Sequence, residues 1–434
     1  MQRRIDRTCT CLTIAAASAT TRRCRGITAA LAPAVLALML ASAPDAQATK
    51  ITVGTLGDPG PSLQLSLREA VLMAGSGDTI DFAPDLNGTI TLLHGEISIT
   101  QALTIQGPGP DLISVDGNQK SRIFNISNAS ATAIDVTIDG LTLTGGSVTG
   151  DNGGAILSNG ANLTISHCAI VGNSASDAGG GLSIGGSNWT VTGTLVRGNT
   201  SGSNGGGLSA FNAYNGIAAS SEVIDSSSFI DNTSGGSGGA IALSLALIPG
   251  DPPTGPAAID LTNVTIAANT ASSPGGGVYA NSGASDVLTI ASSTIVDNSA
   301  GTAGGIDVAG TATLVDSIVA NNPVLSLSGG DLAGTFTANY NLIKTPATAT
   351  LTGAHNIIGV DPLLGELGMN GGPTPTLLPI PTSPVIDAGD PAFAPPPIYD
   401  QRGLPRIVNL VVDIGAVERQ AVEDEVFRDG FEGD

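Results

Sequence analysis

The stretch from Gly153 to Asn321 repeats one phrase six times, and that repetition limits the available folds more than any other feature. Each pass opens on a glycine cluster, at positions 153–154, 179–181, 205–207, 238–239, 275–277 and 304–305. Each closes on an asparagine: Asn173, Asn199, Asn232, Asn269, Asn298 and Asn321. These asparagines lie 26, 33, 37, 29 and 23 residues apart. A variable period of this size marks a stacked array of units rather than a globular domain. Within the first pass, three short apolar runs (155–157, 163–165 and 169–171) are separated by turn residues. They are too short for helices and rich in β-branched residues, so each pass reads as three short strands joined by tight turns.

Alignment on the closing asparagine exposes columns. Three positions before it stand Ile170, Val196, Phe229, Ile266, Ile295 and Ile318. Eight before it stand Ile165, Val191, Ile224, Leu261, Ile290 and, as one exception, Thr313. Such columns need each coil to lie directly on the last with side chains stacked inside. The predicted fold is therefore all-β, a parallel β-helix solenoid, with neighbouring strands about 4.8 Å apart. A propeller or sandwich would not explain unbroken columns with insertions confined to one turn. The asparagines read as a structural ladder: Asn tolerates left-handed backbone, bonds locally, and stacks amide on amide. The glycines supply positive φ and close backbone approach at the other corner.

The N-terminus reads as a signal peptide over residues 1–48. Six arginines precede an apolar run at 27–40, and Ala46-Gln47-Ala48 supplies an A-x-A cleavage pattern. The apolar run is too short for a membrane span. Cleavage near Ala48 would leave Cys168 as the single cysteine and exclude an intramolecular disulfide. Cys168 shares a column with Thr194, Ser227, Val264, Ser293 and Asp316, and reads as a small core filler rather than a nucleophile. Residues 1–48 hold six arginines and two aspartates, so the remainder stands at −25 against −21 for the whole chain. That charge argues against nucleic acid and anionic membrane surfaces as partners.

Thr49–Val53 reads as an entry strand, and residues 65–74 (LSLREAVLMA) as a helix with Ser66 as N-cap, placed to plug the first coil. This stretch, with Asp78-Thr-Ile-Asp-Phe82, resembles the CSLREA domain that begins secreted bacterial β-helix proteins, with Leu65 in place of the family's cysteine. The glycine–asparagine passes resemble repeats of right-handed β-helix proteins of bacterial surfaces, including polymorphic outer-membrane proteins. Residues 356–365, 370–376, 383–389, 400–406 and 413–418 resemble, in order, the choice-of-anchor Q segment. These resemblances imply right-handed coiling and a secreted, cell-surface or outer-membrane location; they imply no established activity. The expected organisation is a cap at 49–87, about ten coils over 88–345, an extended wrap at 346–418 and an acidic tail at 419–434. The tail ending, Val426–Glu432, resembles short Phe-x-x-Gly-Phe-Glu termini of secreted proteins. It reads either as a sorting tag or as a last strand docked on the stack.

Many parallel β-helices cleave polysaccharides, so the residues were weighed for that chemistry. Arg197 is the one basic residue in the six passes, and it reads as a solvated turn charge. Asp225, Asp231, Asp260 and Asp297 show no pairing of the kind glycoside hydrolysis needs. His94, His167 and His355 lack metal-ligand spacing, and no cofactor or metal is expected. Asp116–Arg122 reads as a coil turn. Arg402, Arg406, Asp413 and Glu418 read as ion pairs tying down the wrap. The positive feature is a corner between first and second strands that carries Trp189, Phe211 and Tyr214 on successive coils. Aromatic faces with amides nearby suit an extracellular polysaccharide or another cell-surface component. A non-catalytic adhesion, structural or glycan-binding role is the favoured reading, and a polysaccharide lyase or hydrolase the alternative.

Overall fold

The computed structural model describes residues 48–58, 63–128, 132–185, 188–211, 221–244, 258–281, 287–325 and 329–420. The signal-peptide expectation over residues 1–47, Tyr214, and the tail from 421 lie outside these residues. The chain is a right-handed parallel β-helix. Each full coil contributes to four ladders. In one coil they are Ile156–Asn159 (first), Ala161–Ser166 (second), Ala169–Val171 (third) and Ser174–Ala175 (fourth). The fourth was not expected. It is only two residues long, too short to leave a periodic signal.

Register is one-to-one along each ladder. Ile156 lies beside Leu182, Leu182 beside Leu208, and Leu208 beside Ile241. The third ladder repeats the logic with Ile170, Val196, Phe229, Ile266 and Ile295, all fully buried. These side chains fill one continuous core that no single coil could make. Strand positions inside that core are apolar because they have no water on either side.

The stack extends beyond 88–345 at both ends. Lys50–Val53 pairs with Asp78–Phe82, which pairs with Leu103–Gln106 in the second ladder. At the other end, Thr350–Thr352 and Ile357–Ile358 continue the second and third ladders. These coils lack the glycine cluster, so the repeat is invisible there although the register persists. The helix Leu67–Met73 carries a full capping box between Ser66 and Glu69. Its buried side, Leu67, Ala70 and Val71, joins the core at the end where Lys50–Val53 begins the second ladder.

Two columns of left-handed residues turn the corners on either side of the third ladder. One runs through His167, Gly193, Ser226, Asn263, Ser292, Asp316, Tyr340 and His355. The other runs through Gly172, Gly198, Asp231, Ala268, Asp297 and Asn321. Each member of the second set immediately precedes a ladder asparagine. The left-handed conformation therefore belongs to the residue before the asparagine, and Asn173, Asn199, Asn232, Asn269 and Asn298 do not share it.

The same geometry corrects the sixth ladder position. Asn321 has φ +59° and takes the corner. Its exposed side chain accepts from Lys344 Nζ at 2.6 Å. The buried ladder residue is Asn322, whose Oδ1 accepts from Asn298 N at 2.9 Å and Asn298 Nδ2 at 3.0 Å. Two adjacent asparagines gave the sequence no means of choosing. With the shift, Val319 rather than Ile318 stacks on Ile295, and Leu314 rather than Thr313 stacks on Ile290. The exception in the apolar column disappears.

From residue 361 the chain leaves the stack and lies over the outer face of the third ladder. Central third-ladder strands are buried on both sides: Ser228–Ile230, Thr265–Ala267, Thr294–Val296 and Ile318–Ala320. Their outward residues Ala267, Val296 and Ala320 share a second apolar cluster with Leu377, Val385 and Ile414 of the wrap. Polar contacts fix its position. Gln401 donates to Ser228 Oγ at 2.7 Å and accepts from Thr265 Oγ1 at 2.6 Å, while Ala416 N donates to Thr294 Oγ1 at 3.0 Å.

The ladder assignment has a direct test. Asn322→Ala would strip the acceptor from two buried donors of Asn298 and cost about 3 kcal/mol or more. Asn321→Gly keeps a residue suited to positive φ and should stay within about 0.5 kcal/mol. Urea denaturation of the two variants measures the difference; equal losses would return Asn321 to the ladder.

Candidate functional site

Among the described residues the buried asparagines form a continuous polar array whose side-chain amides are hydrogen-bonded throughout. Asn199 is representative. Its Oδ1 accepts from Asn173 N and Nδ2, both at 3.0 Å, and its Nδ2 donates back to Ile170 O at 2.9 Å and onward to Asn232 Oδ1 at 3.0 Å. The pattern passes through Asn232, Asn269 and Asn298 to Asn322, and ends on Asp331 Oδ1 at 2.9 and 2.8 Å. Asp331 has no asparagine's name and stands outside the repeat, so the sequence offered no signal for it. Burial raises its carboxyl, against the N–H donors of Asn322 and Thr345. A saturated network of this kind builds the fold and leaves nothing for a ligand.

A parallel hydroxyl ladder runs where the cysteine column was expected. Thr194 N donates to Ser227 Oγ at 3.1 Å, Val264 N to Ser293 Oγ at 3.2 Å, and Ser293 N to Ser317 Oγ at 3.1 Å. Ser317, not Asp316, continues this column, by the same one-residue shift. Cys168 N donates to Thr194 Oγ1, and burial pushes the Cys168 thiol up to about 12. Burial and that upward shift both disfavour the exposed thiolate that nucleophilic or redox chemistry uses.

The wrap holds the densest set of perturbed acids. Glu418 accepts from Val408 N at 2.9 Å and Asp413 N at 2.7 Å. Asp413 accepts from Asp387 N and Arg419 N, each at 2.7 Å. Asp400 pairs with Arg402 at 3.0 Å, both buried. Arg406, also buried, donates to Gly415 O at 2.8 Å and to Asn263 Oδ1. These partners belong to the wrap or to the stack beneath it, so the cluster acts as a clasp. Burial pushes Glu418 up to about 8 and Asp316 up to about 6. Groups raised in this way hold a proton in the folded chain that the unfolded chain has released, so stability is highest below their ordinary values of 3.8 and 4.5 and falls as pH rises from there to about 6 for Asp316 and about 8 for Glu418. Amide protection across residues 408–418, corrected for the intrinsic exchange rate, should therefore be greatest near pH 4 and decline towards pH 8. Glu418→Gln should flatten the decline above pH 6; an unchanged slope would remove Glu418 as its source.

The aromatic corner is rearranged. Trp189 is 3% exposed and points into the core between Leu163 and Glu222, so it offers no surface. Its place in the second ladder makes it an inward position, because it starts the alternation Trp189-in, Thr190-out, Val191-in. Phe211 remains half-exposed at the outer edge of the first ladder. Its ring lies over Gly185, where a Cβ would fall 2.6 Å from Phe211 Cε2 and Cζ and 2.7 Å from Asn159 Oδ1.

The first ladder carries two outward columns. One runs Leu157, Ser183, Ser209, Ala242, Tyr279, Asp307; the other runs Asn159, Gly185, Phe211, Ser244, Asn281, Ala309. In the first column, Leu157, Ser183, Ser209 and Ala242 are buried despite facing outward. Small residues there lie beneath the glycine turn that precedes each strand: a Cβ at Gly238 would come within 2.8 Å of Ala242 Cβ. Tyr279 is too large to be covered and is half-exposed. Asp307 follows it in a coil where one strand runs unbroken from Ala303 to Val315, and it too is half-exposed. Burial raises its carboxyl, and no hydrogen bond or cation among the described residues engages it. Tyr279 could have been found in the sequence. It stands four residues after Gly275, as Ala242 does after Gly238 and Ser209 after Gly205.

Among the described residues no group of three or more His, Cys, Asp or Glu side chains could hold a metal ion. Arg197 lies in the third ladder, 3.1 Å from Asp231, far in register from Asp307. No helix among the described residues is long and apolar enough to cross a membrane. No protein-family model matches the chain, and no curated protein or solved structure is similar to it. The molecule is defined as a right-handed parallel β-helix with a clasped C-terminal wrap.

Proposed function

We propose that this chain is a secreted or surface-displayed, non-catalytic β-helix protein that adheres through the outer face of its first ladder. The observation that supports this reading is the composition of that face. Half-exposed Phe211 and Tyr279 stand with Asn159, Ser244, Asn281 and a lone carboxylate, Asp307. Aromatic faces beside amides and hydroxyls are binding chemistry.

Asp307 is also the one observation favouring the alternative of a polysaccharide lyase or hydrolase. A half-buried carboxyl raised from its ordinary range is the form a general acid takes. Hydrolysis needs a second carboxylate across the sugar, and β-elimination needs a base. The outer first-ladder positions from Leu157 to Ala309 supply neither.

Two measurements test the proposal. Incubation of the purified chain with acidic and neutral polysaccharides, with and without calcium, should release no reducing ends or unsaturated products. Product formation lost in Asp307→Asn would install the enzyme reading instead. Fractionation of a producing cell should recover the chain outside the cytoplasm, beginning near Thr49; a cytoplasmic chain retaining residues 1–48 would overturn the location.

A further inference from the structure

We propose that the first-ladder face between Asn159 and Asp307 binds a neutral polysaccharide whose chain lies across successive coils, along the axis of the stack. The inference rests on the preceding reading of this face as a binding surface, and adds the ligand class and its direction.

Charge selects the class. The twelve outward positions of the two columns, from Leu157 to Ala309, carry one carboxyl, Asp307, and no lysine, arginine or histidine. A polyanion such as a uronate or sulfated chain would meet an uncompensated carboxylate and no cation. A neutral sugar meets a good acceptor for its hydroxyls.

The rings supply the apolar contact. Phe211 packs its ring over the bare Cα of Gly185, where a Cβ would fall 2.6 Å from its Cε2 and Cζ, so the ring is held in place before any ligand arrives and little side-chain entropy is lost on binding. Tyr279 lies two coils further on and one outward column across, about 10 Å along the axis at the usual strand spacing. Sugar rings offer C–H faces that pack on such planes. Between and beside the rings, the side chains of Asn159, Ser244 and Asn281 have no hydrogen-bond partner among the described residues. This contrasts with the ladder asparagines, whose every amide group is used inside the protein. A free amide offers both donors and an acceptor, which matches a sugar hydroxyl in either role.

Register supplies the direction. Apart from the long strand Ala303–Val315 at one end, the strands of this face are four residues long, about 13 Å at strand rise, so a polymer laid along one of them would soon run off it. Along the axis the same outward column recurs once per coil without a break in pairing from Asn159 to Ala309. A chain in that direction meets Asn159, Phe211, Ser244 and Asn281 in turn, with Tyr279 and Asp307 alongside.

The test is calorimetric titration of the purified chain with neutral glucans, mannans and galactans and with polygalacturonate of matched length. Affinity for at least one neutral polymer should exceed that for polygalacturonate and rise with chain length. Phe211→Ala and Tyr279→Ala should each weaken it roughly five- to tenfold, the loss expected for a single aromatic contact. Gly185→Ser, at a site with ordinary backbone, displaces the Phe211 ring and should reproduce the Phe211→Ala loss with an unchanged melting temperature. Asp307→Lys should admit polygalacturonate. Preference of the wild type for polygalacturonate, or neutral binding undiminished in the double variant Phe211→Ala/Tyr279→Ala, would overturn the inference. Failure to bind any glycan, with binding to whole cells still lost in the double variant, would overturn the ligand class while sparing the adhesive face. Cell binding retained in the double variant would sink both.

Discussion

The structure depends on a buried amide being unable to go unpaired. Each ladder asparagine sits in the core with a donor pair and an acceptor, and none of these has access to water. An orphaned group there costs about 1–3 kcal/mol, and the penalty recurs in every coil. The arrangement that satisfies all of them is a neighbour offering the same amide at the same height. That requirement fixes the register of each coil on the last. Hydrophobic burial drives the stacking, but apolar contact is non-directional and would tolerate a slip. A one-residue slip would turn the alternation inside out and break the amide chain at once. The hydrophobic columns therefore give the stack its strength, and the asparagines give it its alignment.

The ladder is also polar in the electrical sense. Every Nδ2 points its second hydrogen towards the following coil, so the amide dipoles add. At the start, Asn173 Oδ1 accepts from Gly146 N at 2.8 Å; at the end, Asn322 N and Nδ2 both donate to a carboxylate, Asp331. An acid is well placed at the end where the positive ends of the dipoles accumulate, as at a helix N-terminus. Beyond Asp331 the coils change to the second polar column, in which Asn341 Nδ2 donates to Asn356 Oδ1 at 2.9 Å, and the glycine clusters vanish with the first.

What the sequence revealed, and what it concealed, follows from the same geometry. The fold was legible because a stack repeats its inward residues: Ile170 to Ile295 can be lined up by eye, and so can five of the six asparagines. The sixth was not, because Asn321 and Asn322 are chemically identical and only backbone handedness separates the corner from the ladder. Trp189 was misplaced for a related reason. A loop boundary cannot reveal which side of the following strand its first residue takes, and here the alternation turns the indole inward. Asp331, the hydroxyl ladder and the fourth strand share no repeated signature with the asparagine column. They are set by neighbours distant in sequence, and one-dimensional spacing does not carry that information.

Outward residues obey a different constraint, and this is why the candidate surface was hard to read. Over the third ladder, the outward residues Ala267, Val296 and Ala320 pack against the wrap, whereas Arg197, in a coil the wrap does not cluster with, is exposed. Over the first ladder, the glycine turns cover one outward column and force it to stay small through Ser183, Ser209 and Ala242. Leu157, at the start of that column, is still covered, whereas Tyr279 is not. Tyr279 breaks the run of small residues, and the Phe211 ring occupies the space left by a glycine in the neighbouring coil. Neither ring is required by the core, which is sealed beneath both. Departures from a packing rule without gain in burial are where a chain's surface chemistry is least explained by folding. On this face the two departures coincide with amides and a carboxylate that find no hydrogen-bond or ionic partner among the described residues.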